Sequence, residues 1–126
     1  MKADERPKVL CVEDNEDECD LIREILREYD VTCVSTVAEA CPLLDETRFA
    51  LVILDEHLPD GSGMELCGQI SKKNAETPVI MVSGDTYITA AEAAEAGARA
   101  LIMKTKTTFV EELGLLAGHY VRSAAA

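Results

Sequence analysis

Tryptophan is absent from this chain, and only three tyrosines and two phenylalanines stand among its 126 residues. Without aromatic rings in a basic setting there is no platform on which nucleobases could stack. Basic residues are scarce as well. Twelve lysines and arginines face 24 aspartates and glutamates, and the formal charge of −12 repels phosphate backbones and anionic membrane surfaces. Direct nucleic-acid or membrane binding is therefore not expected. No apolar run approaches the roughly 20 residues of a bilayer span. The charged start MKADERPK also lacks the apolar stretch of a secretion signal. The cysteines Cys11, Cys19, Cys33, Cys41 and Cys67 include no CxxC pair, so neither a zinc site nor a dithiol redox motif has its spacing. They read as small buried hydrophobes in a reducing compartment, which places the protein in the cytoplasm.

What is present is a βα alternation. The length suits one domain spanning 1–126, with 122–126 read as a frayed end or a cut linker. A chain of this size buries about two thirds of its unfolded surface and folds without disulfides or a structural metal. Short apolar runs at Lys8 to Val12, Val31 to Val34, Phe49 to Asp55, Pro78 to Val82 and Arg99 to Met103 read as strands buried on both faces. Between them, apolar residues recur at helical spacing over Asn15 to Tyr29, about Val37 to Asp45, Met64 to Lys73 and Ala90 to Ala96. A last helix is capped by Thr107 or Thr108. Pro42 implies either a late start or a kink in the second helix. The alternation specifies an α/β fold, a doubly wound five-stranded parallel sheet with helices on both faces.

Four of these strands end on hydrophilic groups: Glu13 with Asp14, then Asp55, Ser83 and Lys104. In a parallel sheet the C-terminal strand ends share one edge, where ligands of open α/β sheets bind. The turn formers Pro59, Asp60, Gly61 and Gly63 carry the chain away from Asp55 and leave it reachable. Three carboxylates about 4 Å apart repel by roughly 4 kcal/mol per pair at an effective dielectric of about 20, so the cluster calls for a cation. An oxygen-only set suits Mg²⁺. With a lysine and a hydroxyl beside it, the set fits phosphoryl transfer to a carboxylate. Local structure accounts for some of these acids too, since Asp14 or Asn15 can cap the first helix and Glu16, Asp17 and Glu18 suit its dipole.

The acidic pair after the first strand, LVILDEHLPDGSGMEL around the third, VSGD after the fourth and MK after the fifth resemble a response-regulator receiver domain over essentially the full length. The resemblance implies a (βα)5 flavodoxin-like fold with strand order 2-1-3-4-5. It implies Asp55 as phosphoacceptor, Mg²⁺ held by Asp14, Asp55 and the backbone carbonyl of His57 with Glu13 acting through water, and Ser83 and Lys104 on the phosphoryl oxygens. A sensor histidine kinase or phosphotransfer protein would supply the phosphoryl group. Output would fall to a separate effector or to a missing C-terminal domain. The domain would be no enzyme beyond catalysing its own phosphorylation and dephosphorylation. The face made by the fourth and fifth helices and strands, roughly Thr86 to Tyr120, would report the state and is where an oligomer could form.

Three positions depart from the family pattern. Thr105 follows Lys104 where relatives usually have proline, so a trans or strained peptide bond is expected. Leu101 replaces the usual switch aromatic, which weakens or alters the response of the fourth helix and fifth strand. His57 is either a solvated loop residue or an influence on acyl-phosphate lifetime or donor binding. Two other functions compete: a receiver-like interaction module that works without phosphate, and a Mg²⁺-dependent hydrolase of the haloacid dehalogenase type. The second acid such a hydrolase carries two residues beyond its nucleophile is His57 here.

Overall fold

The computed structural model describes residues 6–84 and 88–125, with side chains on the last helix followed to Ser123. Five long strands form one parallel sheet: β1 Lys8–Val12, β2 Asp30–Val34, β3 Leu51–Asp55, β4 Val79–Ser83 and β5 Ala100–Met103. Counting only these, their spatial order is β2-β1-β3-β4-β5, the expected doubly wound arrangement. The helices are α1 Glu16–Ile25, α2 Val37–Glu46, α3 Gly63–Lys73, α4 Ala90–Ala96 and α5 Phe109–Ala125. Among the described residues, no helix is long and apolar enough to cross a membrane.

Alternation along each strand divides the core in two. Leu10, Val12, Val52, Leu54, Val79 and Met81 face α2, α3 and α4, whereas Val9, Cys11, Leu51, Ile53, Ile80 and Val82 face α1 and α5. Both faces are covered, which is why these strands read as unbroken apolar runs. Leu51 to Leu54 are all 0% exposed, and each contributes about 1.5–3 kcal/mol by leaving water. That burial anchors the strand from whose end Asp55 emerges. All five cysteines are free thiols, with Cys11, Cys19 and Cys67 buried and the other two half-buried.

Local signals set the helix ends. Asn15, not Asp14, caps α1, accepting from the Glu18 N–H at 3.1 Å. α1 ends at Ile25, short of the Tyr29 suggested by periodicity, because Asp30 must give its N–H to the Pro7 carbonyl and begin pairing with β1. Gly97 caps α4 at φ 106°, a left-handed conformation suited to glycine, and a side chain there would meet Ser71.

Pro42 lies inside α2, five residues after its start at Val37, so the late start is not the one taken. Proline removes one backbone hydrogen bond, and here its ring is exposed, so little burial offsets the loss. Pro42→Ala is expected to stabilise the protein by about 2 kcal/mol, because the repaired helix outweighs the entropy returned to the unfolded chain. Thermal melts will show a rise of several degrees.

The start of α2 is tied to the loop after β3. Asp60 accepts from the Val37 and Ala38 N–H groups at 2.8 and 3.0 Å, while Thr36 accepts from the Glu39 N–H at 3.0 Å. The amides of Ala38 and then Val37 hold the Asp60 carboxyl below its ordinary 3.8. With the folded-state value depressed, Asp60 contributes stability above the unfolded value and loses it as pH falls through the folded one. Asp60→Asn should therefore melt below wild type at neutral pH. The gap should close as pH drops below about 3.8.

Candidate phosphoryl-acceptor site

The parallel sheet brings its C-terminal ends to one edge, and the side chains of Glu13, Asp14, Asp55 and Lys104 meet there. Carboxylate oxygens of Glu13, Asp14 and Asp55 all lie within 4.8 Å of one another. Because Asn15 is the cap, Asp14 remains exposed and turned to solvent, while Glu13 and Asp55 are buried. Lys104 reaches in from beyond β5. Its Nζ donates to Glu13 Oε1 at 2.7 Å, to Asp55 Oδ1 at 2.9 Å and to Glu18 Oε2 at 2.5 Å. Its backbone N–H donates to the Ser83 carbonyl at 2.9 Å, which fixes the end of β5 against that of β4. Ser83 itself is fully buried at the tip of β4.

The charges at this edge are strongly coupled. Burial pushes the Glu13 carboxyl up to about 7, neighbouring Glu18 pushes the same way, and Lys104 and the Asn15 N–H pull only partly back. Burial also acts to raise Glu18, but its bonds to Glu13 and Lys104 hold it below the usual carboxylate range. Burial alone would lower Lys104; bonds to Glu13, Glu18 and Asp55 overcome it and hold the ammonium well above its usual value. The lysine is thus a permanent cation.

The loop after Asp55 is built around a backbone approach. Glu56 accepts from the Gly63 N–H through its carbonyl at 2.8 Å and from the Met64 N–H through Oε2 at 3.1 Å. Ser62 caps α3, accepting from Met64 and Glu65 N–H groups at 3.1 and 3.3 Å. His57 and Leu58 pair antiparallel with Ser62 and Gly61 in a two-residue ladder. This places His57 exposed at the surface. No cis peptide occurs among the described residues, so Lys104 to Thr105 is trans. Leu101 is half-buried and packs on the α2–α4 side of the sheet. Asp85, expected at this edge, lies outside the described residues, as do Thr86 and Tyr87 of the proposed reporting face.

Glu18 is the site residue that sequence reasoning assigned elsewhere. Its place in the first turn of α1 was explained by the helix dipole, and nothing in local spacing points across to Lys104, 86 residues away. The available signal was an acid one turn beyond the pair that ends β1, on a helix emerging at the same edge.

The model of the response regulator receiver domain matches residues 9–112, a span containing every strand end described above. The chain belongs to that family. It is a receiver domain of the kind found in response regulators of two-component systems. It is 37% identical over 100 residues to the response regulator protein PilR of Pseudomonas aeruginosa, covering 74% of this chain and 22% of that protein. The chain thus spans about a fifth of that relative's length. A signal receiver domain of a LuxO repressor protein from Vibrio parahaemolyticus superposes with a TM-score of 0.85 at 26% identity, over 95% of this chain and 93% of that one. The response regulator TrrA of Thermotoga maritima, in complex with Mg²⁺ and beryllofluoride, superposes at 0.80 with 25% identity, over 90% and 98% of the two chains.

Proposed function

We propose that this receiver domain takes a phosphoryl group onto Asp55 and works as a conformational switch in a phosphorelay. The observation carrying this reading is the meeting of a reachable buried carboxylate with a permanent cation at 2.9 Å and two further acids within 4.8 Å. Three oxygen donors of this kind fit Mg²⁺, a hard ion completed by waters and phosphate oxygens. Glu13, Asp14 and Asp55, with the His57 carbonyl, would hold it, and it would supply charge neutralisation on the phosphoryl oxygens. The T. maritima relative bound to Mg²⁺ and beryllofluoride supports the same reading.

The chain's own residues divide the remaining work. An Asp55 carboxylate oxygen attacks phosphorus of a phosphohistidine. The P–O bond forms as the P–N bond breaks, and the imidazole leaves and takes up a proton. Lys104 donates to one phosphoryl oxygen and the Ser83 hydroxyl to another. Water later attacks phosphorus, releasing phosphate and restoring the Asp55 carboxylate. The domain therefore turns over no external substrate beyond its own phosphodonor. A sensor histidine kinase or phosphotransfer protein supplies the group in the cytoplasm. The α4, β5 and α5 surface, on whose last helix Leu115 stands 75% exposed, passes the state to an effector, an output domain or a second copy.

Incubation with acetyl phosphate and Mg²⁺ should add one phosphoryl group, detected as a mass increase. EDTA or Asp55→Asn should abolish it. Absence of the adduct in the wild-type protein, with partner affinity unchanged by Asp55→Asn, would instead favour a phosphate-independent interaction module, the reading that Thr105 and Leu101 invite.

A further inference from the structure

A lysine ammonium has three protons to donate, and in this chain all three are engaged by carboxylates: Glu13 at 2.7 Å, Glu18 at 2.5 Å and Asp55 at 2.9 Å. If Asp55 is the phosphoacceptor, Lys104 must offer a proton to a phosphoryl oxygen, and one of these partners has to let go. Asp55 releases its proton as its carboxylate becomes an acyl phosphate, a weaker acceptor, which leaves Glu13 and Glu18 to compete with the phosphoryl oxygens for the ammonium. Glu13 is held in place, with its side chain 1% exposed and Oε2 accepting from the Asn15 N–H at 3.1 Å. Glu18 differs from both. Its side chain is 36% exposed and it borders a groove of about 60 Å³, lined also by Leu21, Ile22 and Phe109, that gives it room to swing out.

We propose that Glu18 is an autoinhibitory positioning residue: its carboxylate competes with the incoming phosphoryl group for the Lys104 ammonium and so sets how readily Asp55 is modified. The inference rests on the reading of Asp55 as phosphoacceptor. Glu18 acts in two ways. It competes for the ammonium, and its negative charge repels the incoming phosphoryl oxygens from the same place. Both effects slow phosphoryl uptake, and the first also shortens the life of the acyl phosphate by drawing Lys104 away from it. Glu18 thus sets the threshold of the switch from the first turn of α1.

The test compares wild type, Glu18→Gln and Glu18→Ala for uptake from acetyl phosphate with saturating Mg²⁺. Both variants keep the α1 cap, which uses the backbone N–H of residue 18. Glu18→Gln should take up phosphoryl about tenfold faster, as expected for removing one partly exposed like charge. Glu18→Ala should do at least as well, and the adduct should persist longer in both. The ratio of Glu18→Gln to wild type should fall towards one as salt approaches about 1 M, where the screening length is about 3 Å. A merely structural role would slow uptake and leave the ratio indifferent to salt. Wild type labelled at Asp55 with both variants equal or slower would overturn the role of Glu18 and leave the phosphoacceptor reading standing. No label on wild type or either variant would overturn both.

Discussion

Lys104→Met will destabilise the metal-free protein by about 3 kcal/mol and slow phosphoryl uptake by about 10²-fold or more. The first effect follows from what the ammonium is holding. Glu13, Glu18 and Asp55 all bond to it, and the first and last have side chains only 1% and 9% exposed. Methionine fills much of the same volume but leaves those acids without a counter-charge, and a buried ion cluster that loses one partner is worse than one never built. Adding Mg²⁺ should restore the variant's melting temperature by more than it raises that of wild type, since the ion then has no ammonium to compete with. The second effect follows because uptake needs a donor placed where charge develops on the phosphoryl oxygens, and methionine has none. Melts in EDTA and in Mg²⁺, beside a time course of uptake, separate the two. A variant that melts like wild type in EDTA would show that the three acids do not depend on Lys104.

Gly63→Ala will cost roughly 3 kcal/mol and displace the loop that follows Asp55. A Cβ at position 63 would lie 2.2 Å from the Asp55 carbonyl oxygen and 3.0 Å from both the Asp55 carbonyl carbon and the Glu56 Cα. All three are backbone atoms, so no side chain can rotate away to make space. Relief must come from moving the start of α3 or the end of β3, which breaks the 2.8 Å bond from the Gly63 N–H to the Glu56 carbonyl. Denaturant unfolding should show the loss, and uptake at Asp55 should fall even where the variant remains folded. Gly68→Ala, in open space within the same helix, is the control: it meets no clash and should be unchanged or more stable by up to about 1 kcal/mol.

How far the sequence could be read depended on how local the deciding force was. β3 was legible as a strand ending on an acid because burial on both faces leaves an unbroken apolar run, and Leu51 to Leu54 are fully buried as that requires. Ala90–Ala96 followed by Gly97 matched as well, since cap and stop are written in adjacent residues. The end of α1 was not legible: its apolar stripe continues to Tyr29, but the demand that Asp30 pair beside Lys8 comes from the sheet. The same holds for Asp60, which read as a turn former and proved also to tie down α2, 22 and 23 residues away. At the strand edge, the meeting of Glu13, Asp14, Asp55 and Lys104 was legible because each stands at or just past the end of a strand. Glu18 was not, because its location on a helix already had a sufficient local cause.

The most direct test of the converging strand ends is nuclear magnetic resonance of the domain titrated with beryllofluoride in the presence of Mg²⁺. The Lys104 ammonium and the Ser83 backbone amide should shift together and saturate at one equivalent, and Asp55→Asn should remove both changes. Saturable binding that leaves the Lys104 and Ser83 resonances in place would contradict the account, because the acid, the ammonium and the hydroxyl would then not share a pocket.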